Sequence, residues 1–459
     1  MVNNLSTGSF VIEIVMRELS PELAQRVHYL KTAAKADAEA DQALADSVAD
    51  IVAGVRREGD TAIARYTQQF DKVELSVFEV SMADREAAVA GLDATTKADT
   101  TFAIEQVRGF AQAQRDTLAP LDIETLPGVH LGHRIRPITS VGCYVPGGRY
   151  PLLSAPVMSL VPAVVAGCTE IVACLPPTAP DSMIGICHLA GATRIFRIGG
   201  AQAIAAMAYG TQSVPQVDKI MGPGNAFVNE AKRQVFGVVG IDALAGPSEI
   251  FTVADETANP VILAADMLAQ AEHDPMARPG LATTSKALAE ATIAEVERQL
   301  TSLSSAETAG AAWQNKGEVV VCDDDDALVA FADYMATEHL QIQTRDPEAL
   351  LDRISNYGSA FIGEDSSVVF SDKCCGTNHT LPTGQAARYT GGLWVGAYMK
   401  TVTHQRISRE GVAAVAPSAI RQSRTERMEG HARAAALRQY PDDIDAITSG
   451  DIARVIGEQ

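Results

Sequence analysis

The segment Ala269-Gln270-Ala271-Glu272-His273 closes an apolar helical pattern and sets Gln270 and His273 three residues apart, on one side of the helix. A glutamine carbonyl and an imidazole nitrogen suit zinc or another borderline divalent ion. Two ligands are too few, so the rest must come from elsewhere in the chain. Alone, the same helix end is a cap that complements the dipole. Glu338-His339 offers a division of labour: an imidazole can take a proton from an alcohol near neutral pH, and the carboxylate can activate water. As an isolated dipeptide it is commonplace on surfaces. Asp372, His379 and His431 lie in Gly-, Asn- and Pro-rich surroundings or beside Gly430, as ligands on loops and helix ends often do. His28, His130, His133, His188 and His404 have no partner spacing and read as structural. Ser248 lacks the GxSxG elbow of a nucleophile and reads as a hydrogen-bonding or turn residue.

The elements that must position these groups change character along the chain. Asp37 to Glu58 and Lys97 to Asp116 read as helices. From about Ile138, short apolar strands alternate with helical patterns. Ile171–Leu175, Arg194–Ile198 and Lys219–Met221 form one set of strands; Glu249–Val253, Glu318–Cys322 and Ser359–Ile362 form a second, with helices at Pro260–Glu272 and Leu288–Leu300. This alternation predicts two α/β domains with parallel sheets. Gly147-Gly148, Gly199-Gly200 and Gly222-Pro223-Gly224 fall at strand ends or helix starts, where open α/β sheets bind ligands and backbone amides can approach phosphate. None is a GxGxxG fingerprint, and glycines also close ordinary turns. Asp323–Asp326 reads as a helix N-terminal cap rather than a metal loop. From about Gly391 the tail is charged and helical, with no strand pattern of its own.

Composition narrows the classes. The 459 residues are 47% hydrophobic and 20% charged, an ordinary globular balance long enough for two or three domains. A formal charge of −20 argues against nucleic acid or anionic membrane as a partner. No apolar run reaches the length of a membrane span, and Phe10–Met16, broken by Glu13, lacks the basic leader of a secretory signal. Seven cysteines at irregular spacing, without a CxxC pair, fit reduced thiols in the cytoplasm.

Together these signals resemble the histidinol dehydrogenase family over about residues 30–440. The likeness rests on Val141–Gly148, Gly199–Ala203, Gly222–Asn225, Ala245–Glu249, Gln270–His273, Glu338–Leu340, Asn378–Thr383 and Glu429–His431. It implies that Gln270, His273, Asp372 and His431 hold one zinc and that Glu338 and His339 are the acid–base pair. It further implies that Tyr144, Gln202 and Asn225 contact NAD and that Ser248 and Glu426 touch substrate. The implied molecule is an intertwined homodimer in which His431 of the tail completes the neighbour's site. The implied chemistry carries a primary alcohol through an aldehyde to a carboxylate with two NAD and one water. On this basis residues 1–25 are an extension, 26–142 plus 254–390 one discontinuous α/β domain, 143–253 the NAD-binding α/β domain and 391–459 a helical tail.

Histidinol enzymes carry a Pro-Glu pair shortly before the ligand aspartate and a tyrosine after it, whereas this chain reads Asp365-Ser366-Ser367-Val368-Val369-Phe370-Ser371-Asp372-Lys373. The glutamate of that pair, an acidic group suited to a cationic substrate, is missing from this stretch, and Lys373 adds positive charge, which shifts the expected substrate toward an anion. Asp372-Lys373, Gly376, Asn378-His379 and Ala387–Leu393 resemble the branch typified by sulfopropanediol dehydrogenase. Lys373, Arg388, Lys400, His404 and Arg406 are the basic residues available there for a sulfonate. The competing readings are a histidinol dehydrogenase, a zinc hydrolase in which Glu338-His339 activates water without nicotinamide, and a non-catalytic binding protein.

Overall fold

The computed structural model describes residues 18–34, 40–147, 152–244 and 246–457. Phe10–Met16, the first residues of the helix expected from Asp37, Gly148 and Ala245 lie outside them. The chain divides into two compact units, one comprising Met1–Arg115 and Ile138–Tyr398, the other Asp116–Pro137 and Met399–Gln459.

The larger unit is built on two sheets. The first contains β1 (Ser140–Tyr144), β2 (Glu170–Leu175), β3 (Arg194–Arg197), β4 (Lys219–Met221) and β5 (Gly240–Ile241), all parallel, in the order β3-β2-β1-β4-β5. Continuous apolar runs such as Ile171-Val172-Ala173-Cys174-Leu175 are buried along their whole length, as a sheet covered on both faces requires. Helices α1 (Gly200–Tyr209) and α2 (Ala226–Val235) follow β3 and β4. They share a core with Val48, Ile51 and Val55 of the helix Ala40–Glu58. The chain leaves β1 toward β2 on one side and returns to β4 on the other, so the sheet's switch point lies between β1 and β4.

The second sheet repeats the pattern with β6 (Glu249–Ala254), β7 (Arg278–Thr283), β8 (Glu318–Cys322), β9 (His339–Gln343) and β10 (Ser359–Ile362), in the order β8-β7-β6-β9-β10. Val27–Lys31 adds antiparallel to β8. The expected limits at 143 and 253 therefore fall inside β1 and β6, because β1 pairs wholly with β2 and β4 while β6 pairs with β7 and β9. Helix α3 (Pro260–Ala271) starts where the Asn259 side chain accepts from the Val261 amide, with Pro260 preset for the first turn. Helix α4 (Val368–Lys373) is capped by Ser367. Asp324 caps the helix Asp325–Met335, as the acidic run suggested.

The smaller unit corrects one expectation. Met399–Ile407, inside the segment read as purely helical, is a nine-residue strand that pairs antiparallel with Val129–Pro137, which pairs in turn with Leu121–Leu126. Residues 116–137, expected in the first α/β domain, thus group with the tail. Their partner strand escaped notice because it is exposed nearly throughout and shows no apolar alternation. The remainder is helical: Arg409–Thr425, α5 (Glu429–Gln439), Ile444–Thr448 and Ile452–Ile456, packed around Ile420, Ala432, Ala436, Ile447 and Ile452. Among the described residues no helix is long and apolar enough to cross a membrane.

Candidate active site

His339 opens β9, and its neighbours fix its protonation pattern. Its Nδ1 lies 2.8 Å from the Glu249 carbonyl oxygen, which can only accept, so Nδ1 carries a proton, and in the neutral imidazole the lone pair falls on Nε2. That Nε2 is buried, has no hydrogen-bond partner among the described residues and lies 3.9 Å from Asp372 Oδ1. Glu338 is held by the same strand, since its Oε2 accepts from the Glu249 amide at 2.8 Å. Both backbone groups of Glu249 thus orient the Glu338–His339 pair. Burial opposes charging of His339, but the Glu338 carboxylate, 3.4 Å from Nδ1, and Asp372 outweigh it and raise the imidazole to about 9. A cation on Asp372 would cancel that carboxylate's pull and favour the neutral base.

Asp372, near the end of α4 and 8% exposed, is the point of convergence. Its Oδ2 lies 3.3 Å from Gln270 Nε2 and 3.8 Å from His273 Nε2. Its carbonyl oxygen lies 3.1 Å from His379 Nδ1, whose imidazole burial holds below its ordinary value. Two ligands of one tetrahedral zinc, each at about 2.0–2.2 Å, stand roughly 3.3–3.6 Å apart. The Gln270 separation of 3.3 Å fits that spacing once the amide turns to present Oε1, its only ligating atom, and the His273 separation of 3.8 Å exceeds it by about 0.2 Å. Among the described residues no three His, Cys, Asp or Glu side chains group as a metal cage. His273, Asp372 and the Gln270 amide are therefore a partial set. His431 is exposed in the first turn of α5, and Glu426 is exposed at the end of Arg409–Thr425, both in the smaller unit. Lys373 is exposed beside Asp372, and half-buried Ser248 immediately precedes β6. The other basic candidates are placed differently. Arg388 donates to the Tyr334 carbonyl at 2.7 Å, and Lys400, His404 and Arg406 lie on the strand Met399–Ile407 of the smaller unit.

The three expected NAD contacts gather at the carboxyl ends of the first sheet, around its switch point, where doubly wound sheets bind ligands. Tyr144 ends β1, and its hydroxyl accepts from the Gly200 amide at 3.1 Å. Burial raises that phenol to about 12, so it stays protonated. Gln202 is buried in the first turn of α1, and Asn225 caps α2 by accepting from the Val228 amide at 3.1 Å. Gly222 has φ +110, and a Cβ there would stand 2.2 Å from the Tyr144 carbonyl oxygen, so only glycine lets the β4 loop approach β1. The sequence did not reveal what holds this loop. Fully buried Lys232 of α2 pairs with Asp242 and donates to the Gly222 and Ala243 carbonyls at 3.0 Å each, while Asp242 accepts from the Gly222 amide at 2.7 Å. A lysine in the last turn of an amphipathic helix reads as a solvated end, and only its burial distinguishes it.

A family model described as histidinol dehydrogenase matches residues 34–439. The chain belongs to the histidinol dehydrogenase family. This is a family of NAD- and zinc-dependent dehydrogenases that act on CH–OH donors and oxidise an alcohol to an acid in two steps. A histidinol dehydrogenase homolog of Shouchella clausii is 46% identical over 85% of this chain and 93% of its own length. The sulfopropanediol 3-dehydrogenase of Ruegeria pomeroyi is 42% identical over 92% of this chain and 99% of its own. The histidinol dehydrogenase of Methanosarcina mazei is 41% identical over 84% and 90%. A crystal structure of histidinol dehydrogenase from Elizabethkingia anophelis superposes with a TM-score of 0.83 at 34% identity, covering 89% of this chain and 94% of that one. The two α/β sheets are the fold of this family.

Proposed function

We propose that the chain oxidises a small, anionic primary alcohol to the carboxylate, with dihydroxypropanesulfonate to sulfolactate as the leading reaction and histidinol as the alternative. The balance is one alcohol, two NAD and one water giving one carboxylate, two NADH and three protons. The observation that carries the reading is His339 Nε2, the nitrogen that carries the lone pair when the imidazole is neutral, buried without a hydrogen-bond partner among the described residues and 3.9 Å from Asp372 Oδ1. A base so placed can take the hydroxyl proton as hydride leaves for NAD at Tyr144, Gln202 and Asn225. Glu338 then assists water in adding to the aldehyde before the second hydride transfer. Gln270, His273, Asp372 and His431 would hold one zinc per site, which when bound supplies a Lewis acid that polarises the substrate oxygen. Ser248, Glu426 and Lys373 would contact substrate.

Two observations support the finer points. Of the five basic candidates, Lys373 alone lies on the element that carries Asp372, which favours an anionic substrate. The sheet of the smaller unit leaves Leu121, Ile123, Leu126, Leu131, Val402 and Ile407 between 36% and 47% exposed, a surface that a second copy exchanging tails would cover. Seven unpaired thiols fit a cytoplasmic location. The test is NADH formation with each alcohol. Two NADH per dihydroxypropanesulfonate is the expected result; turnover of histidinol but not of the sulfonate overturns the ranking.

A further inference from the structure

One buried carboxylate, Asp266, ties together the three elements that carry the candidate metal and base residues. It lies on α3 one turn before Gln270, on the same helix face, and is 7% exposed. Its Oδ2 accepts from Gln341 Nε2 at 2.5 Å and from Gln343 Nε2 at 3.5 Å. Gln341 is two residues beyond His339 on β9, so both point to the same face of the sheet. Thr252 of β6 donates to Gln341 Oε1 at 3.2 Å, which leaves the amide nitrogen facing Asp266. The other oxygen, Oδ1, accepts from the Ser367 hydroxyl at 2.8 Å. Ser367 caps α4, five residues before Asp372.

We propose that Asp266 is the positioning residue of this centre: it fixes α3, β9 and α4 against one another so that Gln270, His339 and Asp372 converge. It touches none of the reacting groups. A carboxylate is suited to the task because it offers two acceptor oxygens and no donor, and every group pointed at it donates. No neutral side chain of that size accepts all three bonds. Groups that orient metal ligands from behind typically govern affinity by about 10- to 100-fold. The inference rests on the proposed zinc site, and the experiment separates the two.

The native enzyme, Asp266→Ala, Asp266→Asn and Ser367→Ala are loaded with zinc, and release to a chromogenic chelator is timed. Cobalt(II)-substituted samples give the absorption bands that report ligand geometry, and thermal melting and NAD affinity are measured on the same preparations. Asp266→Ala is expected to release zinc at least about tenfold faster and to shift the cobalt bands, with NAD affinity within about twofold of native. Ser367→Ala, which loosens α4 alone, and Asp266→Asn, which keeps one acceptor, fall between and carry the test should Asp266→Ala fail to fold. Lowered melting temperatures with native zinc release and cobalt spectra would show a merely structural residue and overturn the inference. A native enzyme whose zinc content does not change on Asp372→Asn would instead remove the proposed centre itself.

Discussion

Replacing Lys232 with methionine tests whether the Gly222–Asn225 loop, the proposed nucleotide contact, is held by the buried ion pair. The lysine side chain is fully buried and that of Asp242 is 7% exposed, so the variant strands a carboxylate out of water and removes the donor from two carbonyls. Removing one partner of a buried pair costs about 3–5 kcal/mol. A stranded carboxylate can shed its charge, however, and protonating an ordinary aspartate at pH 7 costs about 4 kcal/mol, which caps that part of the loss. The Gly222 amide still donates to Asp242, so a net loss of roughly 3–4 kcal/mol is expected. At about 2 °C per kcal/mol, the lower end of the usual range because the unit is large, the first calorimetric transition should fall by about 6–8 °C. The KM for NAD should rise several-fold, because Gly222–Asn225 loses its anchor. Adding Asp242→Asn, which removes the charge and keeps an acceptor for the Gly222 amide, should recover at least half of the stability. A Lys232→Met protein that melts within 2 °C of native with an unchanged KM for NAD would refute this account of the loop.

His339→Asn should lower NADH production by about 10²- to 10⁴-fold while zinc content stays at the native level; native activity would remove the base from its role. Lys373→Gln should raise the KM for a sulfonated alcohol by about tenfold and leave that for histidinol within twofold, and equal changes for both would take Lys373 out of substrate selection. Tail exchange is tested by a heterodimer, isolated through two affinity tags, of one His431→Ala chain and one His339→Asn chain. If His431 acts on the neighbour, one of the two sites is intact and about half of native activity returns; if it acts within its own chain, both sites are broken and no activity returns.

The fold was legible where burial is symmetrical. Ile171–Leu175, Glu249–Val253 and Glu318–Cys322 are apolar runs because both faces of each sheet are covered, and the structure places them in β2, β6 and β8. Strands whose sequence answers to something else were harder to read. β7 reads Arg-Pro-Gly-Leu-Ala-Thr, and its Pro-Gly resembles a turn. Gly280 is needed there because a Cβ would stand 2.5 Å from the Phe251 ring. Met399–Ile407 is exposed and carries no apolar periodicity.

The candidate site was legible as residue types and opaque as an arrangement, and β9 shows why. His339-Leu340-Gln341-Ile342-Gln343 alternates polar with apolar, the pattern of a strand with one wet face, yet all five residues are buried. The polar face is dry because Asp266 supplies the acceptors that water would otherwise provide. That acceptor stands 75 residues earlier than Gln341, alone in the apolar helix Pro260–Ala271, where nothing local accounts for a carboxylate. Local periodicity reports how a segment meets solvent or core, and it misleads where a distant polar group takes the place of solvent. An isolated charge in a buried helix and an apparently wet strand are then two halves of one arrangement. In this protein both halves lead to the residues around Asp372.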